Sequence, residues 1–446
     1  MASELPSASL AESVQFNQLV IVPNAVQGLF RRRRTPVSVA TRTGVDGHAV
    51  RFMMGLRRSH TPGPLWIRVM KDRALLMLEV EDVRRVLEFS PEQFASDPPA
   101  KRRGMGHFQP DALTLSRGEL WADRRRFTEA VVDTERPAHR LGDSFAAVCR
   151  DEVTELIAEL ERDDEGWLGY DALHRAFRRI VRRVVLGDGA REDEELSELL
   201  GKLMSEANGL PSERSDSYEP LMRRLDKYAA EGEAGALVSL FAAAPCSADT
   251  RVSGQLPHWL FAMQDTVCAN TLRALALIVS HPSQLEKLER ELAAADLSGA
   301  DGVASLSYMR ACLNEAMRLW PTTPLLARET LVELSWRGAV VPAGTQILIV
   351  NGFHHRDRER LDYADRFAPE EWTEGAAGTD WGFNHFSHGP QGCPGVNLAL
   401  LIGSAVLAEL LTARAVTPHG KGLDPLKPLP HMLDYFALRF ELQRAG

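Results

Sequence analysis

The sequence of 446 residues predicts one large α+β domain that is mainly helical. Three observations predict this class. From Glu119 to about Leu292 the apolar residues recur mostly at helical spacing, with breaks near 186–190, 209–217 and 244–255. The strand-like runs are few and short: Leu65–Met70, Ala74–Val80, and segments around 331–336 and 346–350. No internal repeat or low-complexity linker divides the chain, which favours one domain over the two or three that length alone suggests.

The elements follow in order. The N-terminus, MASELPSASLAES, is polar and carries two glutamates, and the basic run Arg31–Arg34 comes after the short apolar LVIV. A secretory signal has the opposite order, so residues 1–45 read as a peripheral segment and Arg31–Arg34 as a solvated turn before the folded body. The TPGP of 61–64 is a turn, two strands follow, and Asp82 is placed to cap the next helix. Residues 95–118, rich in Pro, Gly and charge, read as a long loop. Pro282 ends one long helix, and Pro321 stops another that runs from about Leu306 to Trp320. Residues 353–392 hold Gly, Pro, Asp and Trp with little periodicity, and long irregular segments of this kind are usually functional. Leu398–Leu411, interrupted by Gly403, Ser404 and Glu409, falls short of the roughly 18 apolar residues of a spanning helix. It reads as a buried helix over 394–412, followed by a tail of short strands.

Composition excludes several functions. With 44% hydrophobic residues and a net charge of −9, the chain is neither disordered nor a nucleic-acid binder. Five cysteines without a CxxC pair indicate no disulfide framework and no zinc knuckle, so the expected setting is a reducing cytoplasm with no membrane span.

One cysteine has a distinctive neighbourhood. Cys393 lies in the run Phe386-Ser-His-Gly389-Pro-Gln391-Gly-Cys393-Pro-Gly395, directly before the apolar helix. The glycines permit close backbone approach, and Pro394 suits the first helical position. A thiol at a helix N-terminus is favoured as thiolate, the form that binds metal or acts as a nucleophile. A macrocycle supplies four ligands of its own, so haem fits a lone cysteine.

This loop resembles that of the cytochrome P-450 superfamily of haem-thiolate enzymes, Phe-x-x-Gly-x-x-x-Cys-x-Gly, matched by Phe386, Gly389, Cys393 and Gly395. Four further matches fall in the family's order. Glu315 and Arg318 fit its Glu-x-x-Arg helix pair, which braces the segment before the cysteine. Ala262-Met263-Gln264-Asp265-Thr266 fits the small-Gly-x-acid-Thr motif, where the helix is locally opened. By periodicity Trp259, Ala262, Met263 and Thr266 share one helix face. Trp121 and Arg125 fit Trp-x-x-x-Arg, with Arg125 on a haem propionate and Arg124 and Arg126 at the surface; Arg328 fits a second propionate contact. His355-Arg356-Asp357 and Phe367-Ala-Pro369-Glu-Glu-Trp372 resemble the family's stretch before the cysteine, and His354-His355 reads as structural rather than metal-binding.

The resemblance implies haem b with Cys393 as the iron ligand, and Asp265 and Thr266 as acid and alcohol delivering protons. It implies a single P-450-like domain over 1–446 and a monooxygenase that oxidises a small organic substrate. It also implies a separate electron donor of ferredoxin or flavodoxin type, docked on the cysteine side. Thr322, Thr323 and Leu325 fall where the family places substrate contacts, as do residues 98–115 and 205–225. Three positions depart from the pattern. Met263 stands where the family has Gly, which puts in play either a straightened helix or a Met lining a smaller substrate pocket. Glu371 and Trp372 stand where an Arg and an aromatic are usual, so Arg366 or Arg358 is expected to complete the brace. Gln391 is neutral where His or Arg commonly meets a propionate. Two other readings remain at this point: a haem-thiolate enzyme of peroxide-driven, coupling or rearrangement chemistry, and a non-catalytic haem sensor. An excess of arginine over lysine, with abundant alanine, suggests a GC-rich bacterial genome and specialised metabolism.

Overall fold

The structure, a computed structural model, describes residues 4–162, 166–420 and 422–444. Its centre is a group of four long helical segments: Gly142–Arg162, Tyr170–Leu186, the run from Leu256 to Ser280, and Val396–Ala413. Tyr170–Leu186 shows why they pack. Leu173, Ala176, Phe177, Ile180, Val181, Val184 and Val185 recur at helical spacing and are buried. Arginines occupy the other side. Glu152, fully buried on the neighbouring helix, accepts from Arg179 Nε and Arg191 Nε at 2.6 Å and from Arg183 Nη1 at 3.0 Å. A buried carboxylate with three guanidinium donors has its charge compensated. Val396–Ala413 is long and apolar enough to cross a membrane by composition, but 61% of it is buried inside the protein.

A five-stranded sheet stands beside the helices, in the order Leu65–Val69, Asp72–Met77, Gln346–Val350, Leu325–Thr330, Phe94–Ala95. Leu325–Thr330 runs antiparallel to Gln346–Val350 with Arg328 opposite Ile347. A second sheet joins Leu168–Gly169, Arg439–Arg444 and Arg414–Pro418, so the C-terminal strand ties to the start of the Tyr170–Leu186 helix.

Several expectations change. The segment 95–118 is not one loop: Pro99–Met105 is helical and Leu113–Leu115 forms a 3-10 turn. Asp82 is not a cap. Glu79 precedes the Val80–Glu88 helix, and Asp82 accepts the Trp336 indole N–H at 2.9 Å. The apolar helix begins at Val396 with Gly395 at its cap, so Pro394 lies outside it. Residues 1–45 are not peripheral. Helix Leu10–Phe16 packs on the strand Leu65–Val69, and Phe16 and Val20 are buried in an apolar cluster shared with the sheet, while Val37 of the Arg34–Thr43 helix joins the main helical core. Arg31, Arg33 and Arg34 are exposed, as expected of a solvated turn, but Arg31 Nη1 donates to Gly201 O at 2.9 Å, Arg32 has a buried guanidinium nitrogen and Arg34 begins a helix.

Candidate active site

Cys393 is held by its own loop. Its N–H donates to Phe386 O at 2.8 Å, and Gly392 N donates to Gly389 O at 2.9 Å. The turn requires Gly389, which has φ +69°, and an added Cβ would lie 2.2 Å from Leu87 O. The thiol opens into a hollow of about 800 Å³ whose lining includes Arg125, Arg310, His385 and Phe386. Burial pushes the thiol pKa up, while the Gly395 amide and the Arg125 cation pull it back toward thiolate.

The segment before the loop is braced from the Ser307–Leu319 helix. Glu315 and Arg318 are both fully buried and paired, Nη2 to Oε1 at 2.6 Å and Nε to Oε2 at 2.7 Å. Arg318 also donates to the carbonyls of His355 at 2.8 Å, Ala364 at 3.0 Å and Arg366 at 3.0 Å. Neither Arg366 nor Arg358 completes the brace, because they pair with Asp362 and Asp365. Trp372 does so instead: its indole Nε1 donates to Glu315 Oε2 at 2.8 Å, and Ala368 N donates to Oε1 at 3.0 Å. His354 and His355 are structural, bonded to Met77 O and Arg318 O at 3.2 and 3.0 Å.

Within the Leu256–Ser280 run, Ala262–Val267 is a π-helical turn between two α-helical parts. Met263 therefore does not straighten the helix. The wider turn also rotates the face inferred from 3.6-residue spacing. Trp259 and Met263 are buried, with Trp259 stacked on Phe127, so Met263 belongs to the apolar core and does not line the cavity that Thr266 faces. Phe261, Asp265, Thr266, Ala269 and Arg273 face a cavity of about 290 Å³. Thr322 and Thr323 line the same cavity; Leu325 and half-buried Ala262 are not among its walls. The Thr266 hydroxyl makes no hydrogen bond to its own helix among the described residues. Asp265 is 3.1 Å from His174 Nε2 on the Tyr170–Leu186 helix.

The arginines sort differently from expectation. Arg125 is engaged, donating from Nε to Glu129 at 2.6 Å and from Nη1 to Gly392 O at 2.5 Å. Arg124 is buried, not superficial, because it shares the inward face with Phe127 and Val131; Arg126 is exposed. Trp121 is half-buried, and Gln391 carries a buried Oε1 without a partner. Arg328 is 3% exposed; its Nη1 donates to Ala327 O at 3.0 Å and its Nη2 to Ser387 Oγ at 3.4 Å, while its Nε has no partner among the described residues. Burial without a carboxylate pushes its pKa down to about 10. Two residues near it were not singled out from sequence. Lys101 is pushed down to about 7 by burial and by Arg328, and His258 to about 4 by burial and by Lys101. His258 sits four and eight residues before Ala262 and Thr266, a stripe that a wider reading of the helix would have shown.

Comparison with known proteins agrees with this geometry. The family model described as Cytochrome P450 matches residues 248–433, from the π-containing helix through the cysteine loop. Cytochrome P450 81F4 of Arabidopsis thaliana is 23% identical, covering 80% of this chain and 79% of that protein. Psoralen synthase of Ammi majus is 32% identical over 34% of this chain and 33% of its own length. The chain matches about a third of the length of two Drosophila melanogaster relatives, 36% of probable cytochrome P450 4d20 and 31% of cytochrome P450 4c3. The chain is thus similar to cytochrome P450s over residues 248–433 and, at 23–24% identity, over 67–80% of its length.

The family's cofactor is haem b, and the residues present fit it. Cys393 offers a thiol in a rigid loop. A Cβ built on Gly395 would meet nothing within 4 Å, so space is kept beside the ligand. Arg328 is a buried cation with an orphaned nitrogen, which a propionate would satisfy.

Proposed function

We propose that the protein is a haem-thiolate monooxygenase acting on a small organic substrate. When bound, haem supplies dioxygen activation and C–H oxidation. The observation that carries the reading is the π turn at Ala262–Val267, which presents Asp265 and Thr266 together to a cavity. A free Thr hydroxyl can hold and pass a proton at Oγ1. Asp265, kept in place by His174, is positioned to resupply it. This arrangement favours dioxygen chemistry over a peroxide-driven or non-catalytic role, because neither of those needs a proton relay.

The cysteine-side hollow, with Arg125 and Arg310 in its wall, suits an acidic electron donor of the ferredoxin or flavodoxin class. We place the protein in the cytoplasm and in specialised metabolism, on the composition arguments above. Substituting Thr266→Ala is expected to lower product formed per electron pair consumed by about 10²-fold while substrate affinity stays unchanged. Unchanged product yield in that variant would move the assignment to peroxide-driven chemistry or to a sensor.

A further inference from the structure

The cavity beside Thr266 carries an excess of positive charge at one end. Most of its charged groups compensate one another. Arg34 pairs with Asp171 and Arg356 with Asp365, while Asp265 is hydrogen-bonded to His174. Among the described lining residues three arginines then remain, Arg31, Arg32 and Arg273, against two carboxylates, Asp46 and Asp265. Arg31 has neutral partners, Gly201 O and Ser205 Oγ.

Arg32 and Arg273 are the unusual pair. Arg273 is 4% exposed, and its Nη1 is bound to Trp320 O at 2.9 Å and Asn270 Oδ1 at 3.2 Å. Among the described residues its Nε has no partner, and neither does the buried Nη1 of Arg32. Among the described residues no carboxylate lies within 4.0 Å of either guanidinium. Asp46 is near enough to Arg32 to feel its charge, yet its own Oδ2 is also buried without a partner. Burial first, and then the nearby Arg32 cation, lower the proton affinity of Arg273, as expected where two cations lie in one enclosed space. An uncompensated buried charge is costly, and a native structure keeps one where a ligand supplies the counter-charge. The same cavity has an apolar part to its wall, to which Phe261, Phe353, Phe436 and Leu319 contribute, beside polar residues such as Thr322 and Thr323.

We propose that this cavity is the substrate chamber and takes a small carboxylate on an apolar body, with the charged end held by Arg32 and Arg273 and the apolar end directed toward Thr266. The inference rests on the monooxygenase reading and names its substrate class. Planar guanidinium donors match a carboxylate bidentately, which would fix one end of the molecule and so choose the carbon presented for oxidation.

The test uses the haem-loaded full chain with 3-phenylpropionate and its neutral twin 3-phenylpropanamide. Affinity is read by titration calorimetry and, in parallel, by the ligand-induced absorption shift. The wild-type protein is expected to bind the acid about tenfold or more tightly than the amide. Arg273→Gln and Arg32→Gln should each reduce that ratio about tenfold, whereas Arg273→Lys should keep more of it than Arg273→Gln. A ratio near one in the wild-type protein, which requires no variant to fold, overturns the proposal. So does an undiminished ratio in both Gln variants. An acid preference seen by calorimetry in a protein that lacks a thiolate absorption band supports the anion site and counts against the haem-thiolate reading.

Discussion

At the residue scale, Trp372 takes over a task expected of an arginine. Glu315 is fully buried, and its second oxygen is completed by the indole N–H at 2.8 Å. A neutral donor suffices because Arg318 already neutralises the carboxylate. Trp372→Phe keeps the ring and removes the donor. It should cost about 1–3 kcal/mol in urea denaturation, the price of an incompletely satisfied buried acceptor; an unchanged midpoint would show that the bond contributes nothing. Asp46 offers a pH test. Burial raises its pKa to about 6 from an ordinary 3.8, so folding disfavours its charged form. Stability from this difference is complete below about pH 3.8 and lost as pH rises through 6. Asp46→Asn should therefore gain ~3 kcal/mol on the wild-type protein between pH 4 and pH 7. Parallel changes of the two proteins with pH would contradict the assignment.

At the element scale, the loop and the π turn decide where the chemistry sits. The loop was legible in the sequence because glycine positions encode backbone requirements directly. Gly389 has positive φ and faces Leu87 O, so Gly389→Ala should destabilise the fold by about 1–3 kcal/mol and reduce haem content at equal protein. Full haem retention with unchanged stability would contradict the role given to this turn. The π turn was legible only through the family motif. Regular 3.6-residue spacing grouped Met263 with Thr266, whereas the wider turn separates them, one into the core and the other onto the cavity. The strand Leu325–Thr330 was hidden by the prolines just before it, since propensity carries no information about a partner strand twenty residues away.

At the scale of the whole molecule, the mainly helical class followed from periodicity, while the place of the N-terminal segment did not. The N-terminal segment looked peripheral because it is polar and precedes the periodic region. It is held by long-range contacts: Phe16 and Val20 under the sheet, Phe30 N to Asn208 Oδ1 at 2.8 Å, and Arg32 at the cavity wall. Contacts across some 180 residues leave no trace in local pattern. The two sides of the proposed site likewise come from distant parts of the chain, the cysteine loop against Val396–Ala413 and the proposed relay on Ala262–Val267. They act as one site if a single thiolate-bound haem lies between them. The absorption spectrum of the dithionite-reduced, carbon-monoxide-bound protein, compared with that of Cys393→His, tests this most directly. The account predicts the long-wavelength Soret band of thiolate ligation in the wild-type protein and its replacement by a shorter-wavelength, histidine-type band in the variant. A wild-type spectrum without the thiolate band, or a variant that keeps it, would contradict the account.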